Sequence, residues 1–423
     1  MENKILAENG ISVYSLTNSN SHSFYISMFL KSGVLYERAD ENGITHFLEH
    51  VAIRNVNKLM DGTLYATLDK YGMDFNASTY SEMVQFYISG SDKYFPVAAE
   101  IISKLLSPII LSQDELETER KRIKAEIREV GDKSSLAHFT ACEVWCDAPL
   151  SRPITGNATD VSHIGVRRLE EYRKRVFNGE NIFFYVTGNV ENDNLSYFLS
   201  LISGYEARGS EIHKNNAPVP KPFFNRDKEV KIKNADFTKI RYTFDVDMSR
   251  VSSAELDLLY DYMLGGYNSE FFVELSEKRG LFYDLNGAVE RYLNVATFSF
   301  SYELKESLLY DAAEMTMRLL RQYASGSLDT DRCMKAGYVD NAYMLYDDPR
   351  ELNFIFGYEN HIMDLGYGGL EDRIEEYRAI TPERIREVAA IILNPRNMTV
   401  TLKGNKKKVD KERLNKILFY EEM

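Results

Sequence analysis

The sequence predicts an α+β protein of two similar domains, each a mostly antiparallel sheet flanked by helices. Three observations favour this class. Strand and helix patterns come in runs without strict alternation. A helix followed by a buried strand recurs towards the end of each half. A polar stretch divides the 423 residues near their middle, and with 44% hydrophobic residues the chain can fill two cores.

The first elements are two segments of alternating apolar and polar residues, 11–17 and 23–31, which predict strands paired through a turn at 18–21. A helix is predicted to begin near Asn42-Gly43 and another to span 61–71. The patterns that follow predict strands at 73–81 and 82–91, a helix at 97–106 and a long charged helix at 112–129. Two more helices are predicted at 135–147 and 164–177, and a buried strand at 181–190.

An internal repeat supports two related domains. The segment 181–189 follows an amphipathic helix, and the segment 397–405 follows another. Between these halves, residues 205–225 are polar and contain three of the ten prolines, a composition typical of a linker. We therefore predict three parts along the sequence: a first domain at 1–210, a linker at 211–225 and a second, related domain at 226–423.

Composition argues against several classes of function. The formal net charge is -13, and no basic run is longer than three residues, the length of the triplet 406–408, so nucleic acid is not an expected partner. No apolar stretch is long enough to span a membrane, and the N-terminus has no secretory pattern. Three cysteines do not form a disulfide framework. We expect a cytoplasmic protein in a reducing compartment.

The candidate metal site is the segment His46-Phe-Leu-Glu49-His50. Residues four apart on a helix lie on one face, so His46 and His50 can share one ion, with Glu49 beside them. Zinc accepts imidazole nitrogen and carboxylate oxygen and tolerates an open coordination position. The spacing is the inverted form of the familiar zinc-peptidase motif.

A third ligand is expected on the charged helix downstream. Two histidines and a carboxylate are a usual ligand set of hydrolytic zinc. Glu119 and Glu126 are seven residues apart and lie on one helix face, and Glu129 is also near. The residues alone do not decide between these three glutamates, and a charged helix is by default a solvated one.

The motif, with a glutamate 76 residues after His50, resembles the pitrilysin family of zinc peptidases, which includes insulin-degrading enzyme and the β-type subunits of mitochondrial processing peptidase. The resemblance implies that His46, His50 and Glu126 bind Zn²⁺. It implies that Glu49 is the general base and that Glu119 supports the site without binding the metal.

A second matching segment is Phe75-Asn76-Ala77-Ser78, followed by Thr79. It resembles the family strand that pairs with the backbone of the substrate. Pairing of this kind tolerates many sequences because the main chain supplies the affinity.

The resemblance also implies an assembly, because the family closes two halves around a chamber and this chain has the length of one half. The partner is then a second copy or a related chain. Tyr283 matches a family tyrosine that assists catalysis across the chamber, but Ser276 stands where the family carries an arginine. Serine cannot supply a cationic donor, which favours a heterodimer.

These inferences predict a zinc-dependent endopeptidase for short unfolded peptides. Two alternatives stay open: a leader-peptide processing subunit of a heterodimeric maturation protease, and a peptide-binding partner subunit without catalysis. The full set of predicted ligands and base argues against the last of these.

Overall fold

The structure is a computed structural model that describes residues 1–132, 136–265, 268–282, 284–328, 339 and 342–420. The chain forms two compact units. The first consists of Met1–Lys133, Arg152–Asn215 and Tyr343–Leu370, and the second of Ser134–Ser151, Asn216–Ala342 and Glu371–Met423. The change from first to second unit after Asn215 falls inside the predicted linker, 211–225. The segment Ser134–Ser151 lies in the first half of the sequence but belongs to the second unit. The segment Tyr343–Leu370 lies in the second half but belongs to the first unit.

The first unit contains a six-stranded sheet. Its strands are β1 (Asn3–Leu6), β2 (Ser12–Thr17), β3 (Ser23–Leu30), β4 (Asp74–Thr79), β5 (Val84–Ser91) and β6 (Ile182–Gly188). Their order is β1-β2-β6-β3-β5-β4. The β2–β6 pair is parallel and all other neighbours are antiparallel. Strand β4 therefore lies at an edge of the sheet.

The predicted pairing of 11–17 with 23–31 is wrong, although both segments are strands, because β6 lies between them. All seven residues of β6 are buried, and a strand that is apolar on both faces belongs in the interior of a sheet. The segment that joins β2 to β3 passes the end of β6, where the Asn18 N–H donates to the Gly188 carbonyl at 2.8 Å.

The second unit repeats this topology with one strand fewer. Its strands are β7 (Lys231–Asn234), β8 (Thr238–Asp247), β9 (Leu285–Arg291), β10 (Val295–Leu304) and β11 (Met398–Gly404). Their order is β7-β11-β8-β10-β9. The one parallel pair is β7–β11, which corresponds to β2–β6. The predicted class of two similar sheet-and-helix domains is confirmed.

Helices cover both sheets. The described α-helices are α1 (Ile44–Leu59), α2 (Leu64–Tyr71), α3 (Phe95–Ser103), α4 (Gln113–Asp132), α5 (Leu136–Trp145), α6 (Ala158–Ser162), α7 (Val166–Val176), α8 (Asn192–Ser203), α9 (Ser253–Leu264), α10 (Leu309–Ala324), α11 (Pro349–His361), α12 (Leu370–Ala379), α13 (Pro382–Ile392) and α14 (Lys411–Asn415). Short 3₁₀ turns span Asp92–Tyr94, Lys104–Leu106, Pro149–Ser151, Glu306–Leu308, Tyr343–Asp347 and Pro395–Asn397, and π-helical turns span Phe272–Glu277 and Lys416–Tyr420. In the part of the chain that is described, no helix has the length and apolar character that crossing a bilayer requires.

Each sheet is covered in part by a helix from the other half of the sequence. Helix α11 packs on β3 and β6 of the first sheet, where the Asn353 amide donates to the carbonyls of Tyr25 (3.2 Å) and Tyr185 (2.8 Å). Helix α5 packs on β11 of the second sheet, where the hydroxyls of Thr140 and Thr401 are 2.6 Å apart. The two units thus exchange one helix each.

Helix α1 packs its apolar face into the core of the first unit. The buried residues Ile44, Phe47, Leu48, Val51 and Ala52 stand at positions i, i+3, i+4, i+7 and i+8, the spacing of one helix face. This packing fixes the rotation of the helix about its own axis. The opposite side, which carries the predicted metal ligands, is thereby turned toward α4 and β4, both of which pack against α1.

Candidate metal centre

Helix α1 begins at a glycine that has no room for a side chain. Gly43 has φ +85°, and a Cβ there would lie 2.7 Å from the Cα of Gly156. The buried carboxylate of Glu37 accepts hydrogen bonds from the backbone N–H groups of Gly43 and Thr45, both at 3.0 Å. Burial raises the pKa of Glu37, and these hydrogen bonds partly offset the rise. The first turn is therefore anchored immediately before His46.

The structure brings His46, His50 and Glu126 together. The Nε2 atoms of His46 and His50 each lie 3.5 Å from a different carboxylate oxygen of Glu126. The two imidazole centroids are 4.8 Å apart. Glu126 comes from α4, and the two histidines lie one turn apart on α1. Glu129, the third glutamate considered from the sequence, is exposed and outside this cluster.

The geometry of this cluster fits a tetrahedral divalent ion such as zinc. Ligand atoms at about 2.0–2.1 Å from a tetrahedral ion are roughly 3.3 Å from one another, close to the 3.5 Å that separates Glu126 from each imidazole. All three donor atoms lie within 4.8 Å of one another. Across the described ranges this is the one such group of His, Cys, Asp and Glu.

The protonation of the cluster is set by mutual contacts. Burial lowers the pKa of His50, but hydrogen bonds with Glu119 and Glu126 outweigh burial and raise it to about 9. Hydrogen bonds with His46 and His50 hold the pKa of the Glu126 carboxyl well below its usual range. A cation that binds these three side chains must therefore displace a proton from His50.

Glu119 lies behind His50, on the side away from Glu126. Its Oε2 is 3.7 Å from Nδ1 of His50, while its Oε1 accepts from Arg54 at 2.5 Å and from Arg122 at 3.1 Å. Burial raises the pKa of Glu119, and the contacts with His50 and Arg54 more than reverse the rise. A buried carboxylate held by two arginines is well placed to orient the His50 ring.

Glu49 points toward the end of the edge strand. Its Oε2 accepts a hydrogen bond from Oγ1 of Thr79 at 2.6 Å, which is the last residue of β4. The carboxylate is thus held close to the two histidines by a donor on a different element.

The predicted substrate segment forms the edge strand β4, which pairs with β5. Phe75 and Ala77 are aligned with Ile88 and Phe86 of β5. The N–H of Ala77 donates to the side-chain carbonyl of its neighbour Asn76 at 2.9 Å, and Ser78 follows. The other edge of β4 has no strand partner among the described residues, so an extended chain can be added there.

A cavity of about 840 Å³ opens beside the cluster. Its lining includes Glu49 and His50 and the partly or fully exposed apolar side chains of Ile53, Tyr65 and Ile110. The cavity is large enough to receive a side chain of a bound peptide, and it lies next to the predicted ligands.

In the second unit, the residues considered from the sequence are Tyr283, Ser276 and Arg279. Tyr283 lies outside the described residues. The hydroxyl of Ser276 donates to the Phe282 carbonyl at 3.0 Å, so it serves the local backbone. Arg279 lies 3.9 Å from Glu274, an ion pair within its own turn.

Sequence reasoning missed the groups that support the cluster: Thr79, which holds Glu49, the pair Arg54 and Arg122, which hold Glu119, and Glu37, which anchors α1. A sequence clue existed for one of them, because Arg54 follows His50 by four residues and so lies on the same helix face.

Comparison with known proteins agrees with this architecture. Residues 12–157 match the family described as Insulinase (Peptidase family M16), and residues 163–333 match the one described as Peptidase M16 inactive domain. An uncharacterized zinc protease of Mycobacterium tuberculosis is 23% identical over 397 residues, which cover 89% of this chain and 87% of that protein.

Solved structures share the fold along nearly the whole chain. A protease from Helicobacter pylori superposes with a TM-score of 0.81 at 17% identity, covering 96% of this chain and 99% of the other. The periplasmic protease PqqL from Escherichia coli has a TM-score of 0.79 at 15% identity, covering 100% of this chain but 50% of the other. The predicted resemblance is confirmed, and the chain belongs to peptidase family M16, the insulinase and pitrilysin family.

Proposed function

We propose that this chain is a zinc-dependent endopeptidase that cleaves short unfolded peptides. One observation carries the proposal: the donor atoms of His46, His50 and Glu126 converge within 4.8 Å, and Glu49 lies one residue before His50 with its carboxylate oriented by Thr79. A ligand set of this kind beside a second, non-ligating carboxylate suits amide hydrolysis.

In the proposed reaction, His46, His50 and Glu126 would hold zinc, which when bound would supply a water of lowered pKa and polarise the scissile carbonyl. Glu49 accepts the proton of that water and delivers it to the leaving amine. The Thr79 hydroxyl keeps the Glu49 carboxylate in one orientation by donating to it. Glu119 orients the His50 ring as the acceptor for its Nδ1–H, and this tautomer leaves the lone pair of Nε2 for the metal.

We propose that the substrate binds as an additional strand on the free edge of β4, along Phe75, Asn76, Ala77 and Ser78. Such pairing requires an extended backbone, so a folded protein is excluded and an unfolded peptide is accepted. The neighbouring cavity, with Tyr65 on its wall, offers a pocket for one side chain. Affinity then comes mainly from the main chain, and sequence preference from this pocket.

The decisive experiment compares variants that differ in one charge. Glu49→Gln should retain zinc and lose cleavage of a quenched fluorescent peptide, because only the proton acceptor is removed. His50→Ala should lose both zinc and cleavage. Glu117→Gln changes a partly exposed glutamate of α4 that pairs with Arg120 and should keep both. Cleavage by Glu49→Gln at the wild-type rate, with zinc measured by atomic spectroscopy, would overturn the proposal.

We further propose that the active form is a dimer with a related chain. This chain corresponds in length to half of PqqL, and Ser276 supplies no cation to a partner's site. Native mass spectrometry of the protein alone and with a co-expressed related chain, with zinc content read from the same spectra, tests the assembly. A homodimer with full activity would contradict the heterodimer.

There are two alternatives to a general endopeptidase. A role as leader-peptide processing subunit fits the same chemistry and differs only in substrate. A peptide-binding subunit without catalysis is less well supported, because such a subunit has no need of His46, Glu49, His50 and Glu126 together. We also propose a cytoplasmic location, since Cys142 and Cys146 are free thiols.

A further inference from the structure

Side chains of α1 and α4 form a row of contacts between these two helices, which pack against each other. Every fourth position of α1 from 46 to 58 lies on the helix face that meets α4. Three glutamates of α4 contact that face one after another: Glu126 with His46 and His50, Glu119 with His50 and Arg54, and Glu115 with Lys58. The predicted metal ligands are thus one end of a longer row, and Arg54 is the first position beyond them.

The Glu119 carboxylate stands at a distance from His50 where a small shift matters. Its Oε2 lies 3.7 Å from Nδ1 of His50, beyond the roughly 2.7–3.2 Å of a usual N–H···O hydrogen bond. A shift of about half an ångström toward the ring would complete that bond, and an equal shift away would remove the contact. Whether Glu119 orients His50 therefore depends on what holds the carboxylate in place.

Two arginines hold the other oxygen of Glu119, and they come from different helices. Arg122 lies three residues after Glu119 on α4 and donates to Oε1 at 3.1 Å. Because both belong to one helix, Arg122 moves together with Glu119. Arg54 lies on α1, four residues after His50, and donates to the same oxygen at 2.5 Å. Arg54 therefore ties the carboxylate to the helix that carries both histidines, which Arg122 cannot do.

Exposure to solvent also distinguishes the two arginines. The side chain of Glu119 is 3% exposed and that of Arg54 is 29% exposed, whereas that of Arg122 is 65% exposed. Solvent and salt screen an ion pair less when it is shielded from water. Removing one partner of a shielded pair also leaves the other charge without compensation. We therefore expect the loss of Arg54 to disturb Glu119 more than the loss of Arg122 does.

We propose that Arg54 is a positioning residue of the metal centre, which acts through Glu119 to fix the ring of His50. Loss of a group that orients a ligand weakens metal binding. The general effect of charge has the opposite sign, because removing a cation near a divalent ion should tighten its binding. The direction of the change in zinc affinity therefore distinguishes positioning from charge. That the ion is zinc rests on the proposed function.

The zinc affinity of the full chain can be measured without any peptide, by competition with a chromophoric chelator. Arg54→Gln should bind zinc about tenfold more weakly than the wild type. Arg54→Met keeps an unbranched stem of similar reach and also removes the charge, so it should show the same loss. Arg54→Lys should stay within about threefold of the wild type, because Arg54 contacts Glu119 through a single nitrogen that a lysine ammonium can replace.

Lys58→Gln is the matched control. It removes the same charge from the same helix face, one turn further from His50, and breaks the ion pair with Glu115 that also joins the two helices. Zinc affinity should stay equal to that of the wild type or rise slightly, because Lys58 does not contact Glu119. Arg122→Gln should weaken zinc binding less than threefold, because Arg122 is not attached to α1.

A double-mutant cycle tests whether Arg54 acts through Glu119. In a chain that already carries Glu119→Gln, the change Arg54→Gln should weaken zinc binding no further, because the group that Arg54 positions is gone. The absorption bands of the Co²⁺-loaded protein give a second measurement, since they depend on the geometry of the ligands. Arg54→Gln should shift these bands, and Lys58→Gln should leave them unchanged.

Three results would overturn the proposal. The first is zinc binding by Arg54→Gln that is as tight as in the wild type or tighter. The second is an equal loss in Lys58→Gln, which would mean that the ion pairs only hold the helices together. The third is a further tenfold loss when Arg54→Gln is added to Glu119→Gln. The proposed function fails separately, if the zinc-loaded wild type cleaves no peptide, because the affinity measurements need no cleavage.

Discussion

The Thr79 hydroxyl donates a 2.6 Å hydrogen bond to the Glu49 carboxylate, which joins the strand proposed to hold substrate to the helix proposed to hold the metal. A substrate paired along β4 would thus meet the proton acceptor at a fixed distance. Positioning of this kind contributes to catalysis because the reacting groups need no further ordering.

Replacing Thr79 by valine should lower kcat about tenfold or more while zinc content stays unchanged. The variant loses a hydrogen bond to a charged group, worth about 1.5–3 kcal/mol, without losing a metal ligand. Peptide cleavage and bound zinc are measured on the same samples. Thr67→Val is the control, because the Thr67 hydroxyl donates to the Thr63 carbonyl at the start of α2, a contact that does not involve Glu49. An unchanged kcat in Thr79→Val would show that Glu49 needs no fixed orientation.

Replacing Glu119 by glutamine should weaken zinc binding about 10- to 100-fold, the usual cost of removing a group that orients a ligand. The change also leaves the cations Arg54 and Arg122 without their carboxylate beside His50. Zinc affinity is measured by competition with a chromophoric chelator. Glu115→Gln breaks a comparable ion pair on the same helix, with Lys58 at 2.5 Å, and should leave zinc affinity unaltered. Equal affinities in the two variants would remove Glu119 from the metal site.

Replacing Gly43 by alanine should destabilise the protein by about 3 kcal/mol. The alanine would have to adopt a left-handed backbone conformation, and its Cβ would clash with the backbone of Gly156. Gly62→Ala is a matched control: its φ is +79°, but a Cβ there meets nothing within 4 Å, so about 1 kcal/mol is expected. Urea unfolding measures both. Only Gly43→Ala should also weaken zinc binding, because only Gly43 begins α1. Similar losses of stability would mean that Gly156 can move away.

Replacing Asp261 by asparagine should raise the unfolding temperature at pH 8 more than at pH 4.5. Burial raises the pKa of this carboxyl from 3.8 to about 6. The folded state therefore keeps a proton that the unfolded state releases, and this stabilisation is lost as pH rises through about 6. Calorimetry at the two pH values checks the sign. Asp311→Asn, an exposed position on α10, should show no such difference. A larger gain at pH 4.5 would contradict the raised pKa.

The sequence predicted the α1 side of the metal site better than the α4 side. The spacing of His46 and His50 sufficed, because helix periodicity alone puts both imidazoles on one face. The same periodicity puts Glu119 and Glu126 on one face of α4, so spacing could not tell ligand from support. The distinction depends on Arg54 and Arg122, which hold the Glu119 carboxylate behind His50. Arg122 is a local i,i+3 neighbour of Glu119, but the contact of Glu119 with Arg54 joins two helices, so the sequence of α4 alone does not show it.

Topology was also only partly predictable. The strands at 12–17 and 23–30 follow from alternating residues, but the insertion of β6 between them depends on a segment more than 150 residues further along the chain. For the same reason, the sequence does not predict that α5 packs on the second sheet and α11 on the first. An amphipathic pattern shows that a helix has a face to bury and does not show which sheet receives it.

The exchange of helices has a consequence for synthesis on the ribosome. The first sheet has all its strands once Gly188 has been made, but α11, which covers β3 and β6, ends only at His361. At an elongation rate of about 5–20 residues per second, this face of the sheet stays uncovered for roughly ten seconds or longer. During that interval aromatic side chains of the sheet such as Phe29 and Phe183 are exposed to solvent. We therefore expect the chain to depend on chaperones most strongly during its synthesis.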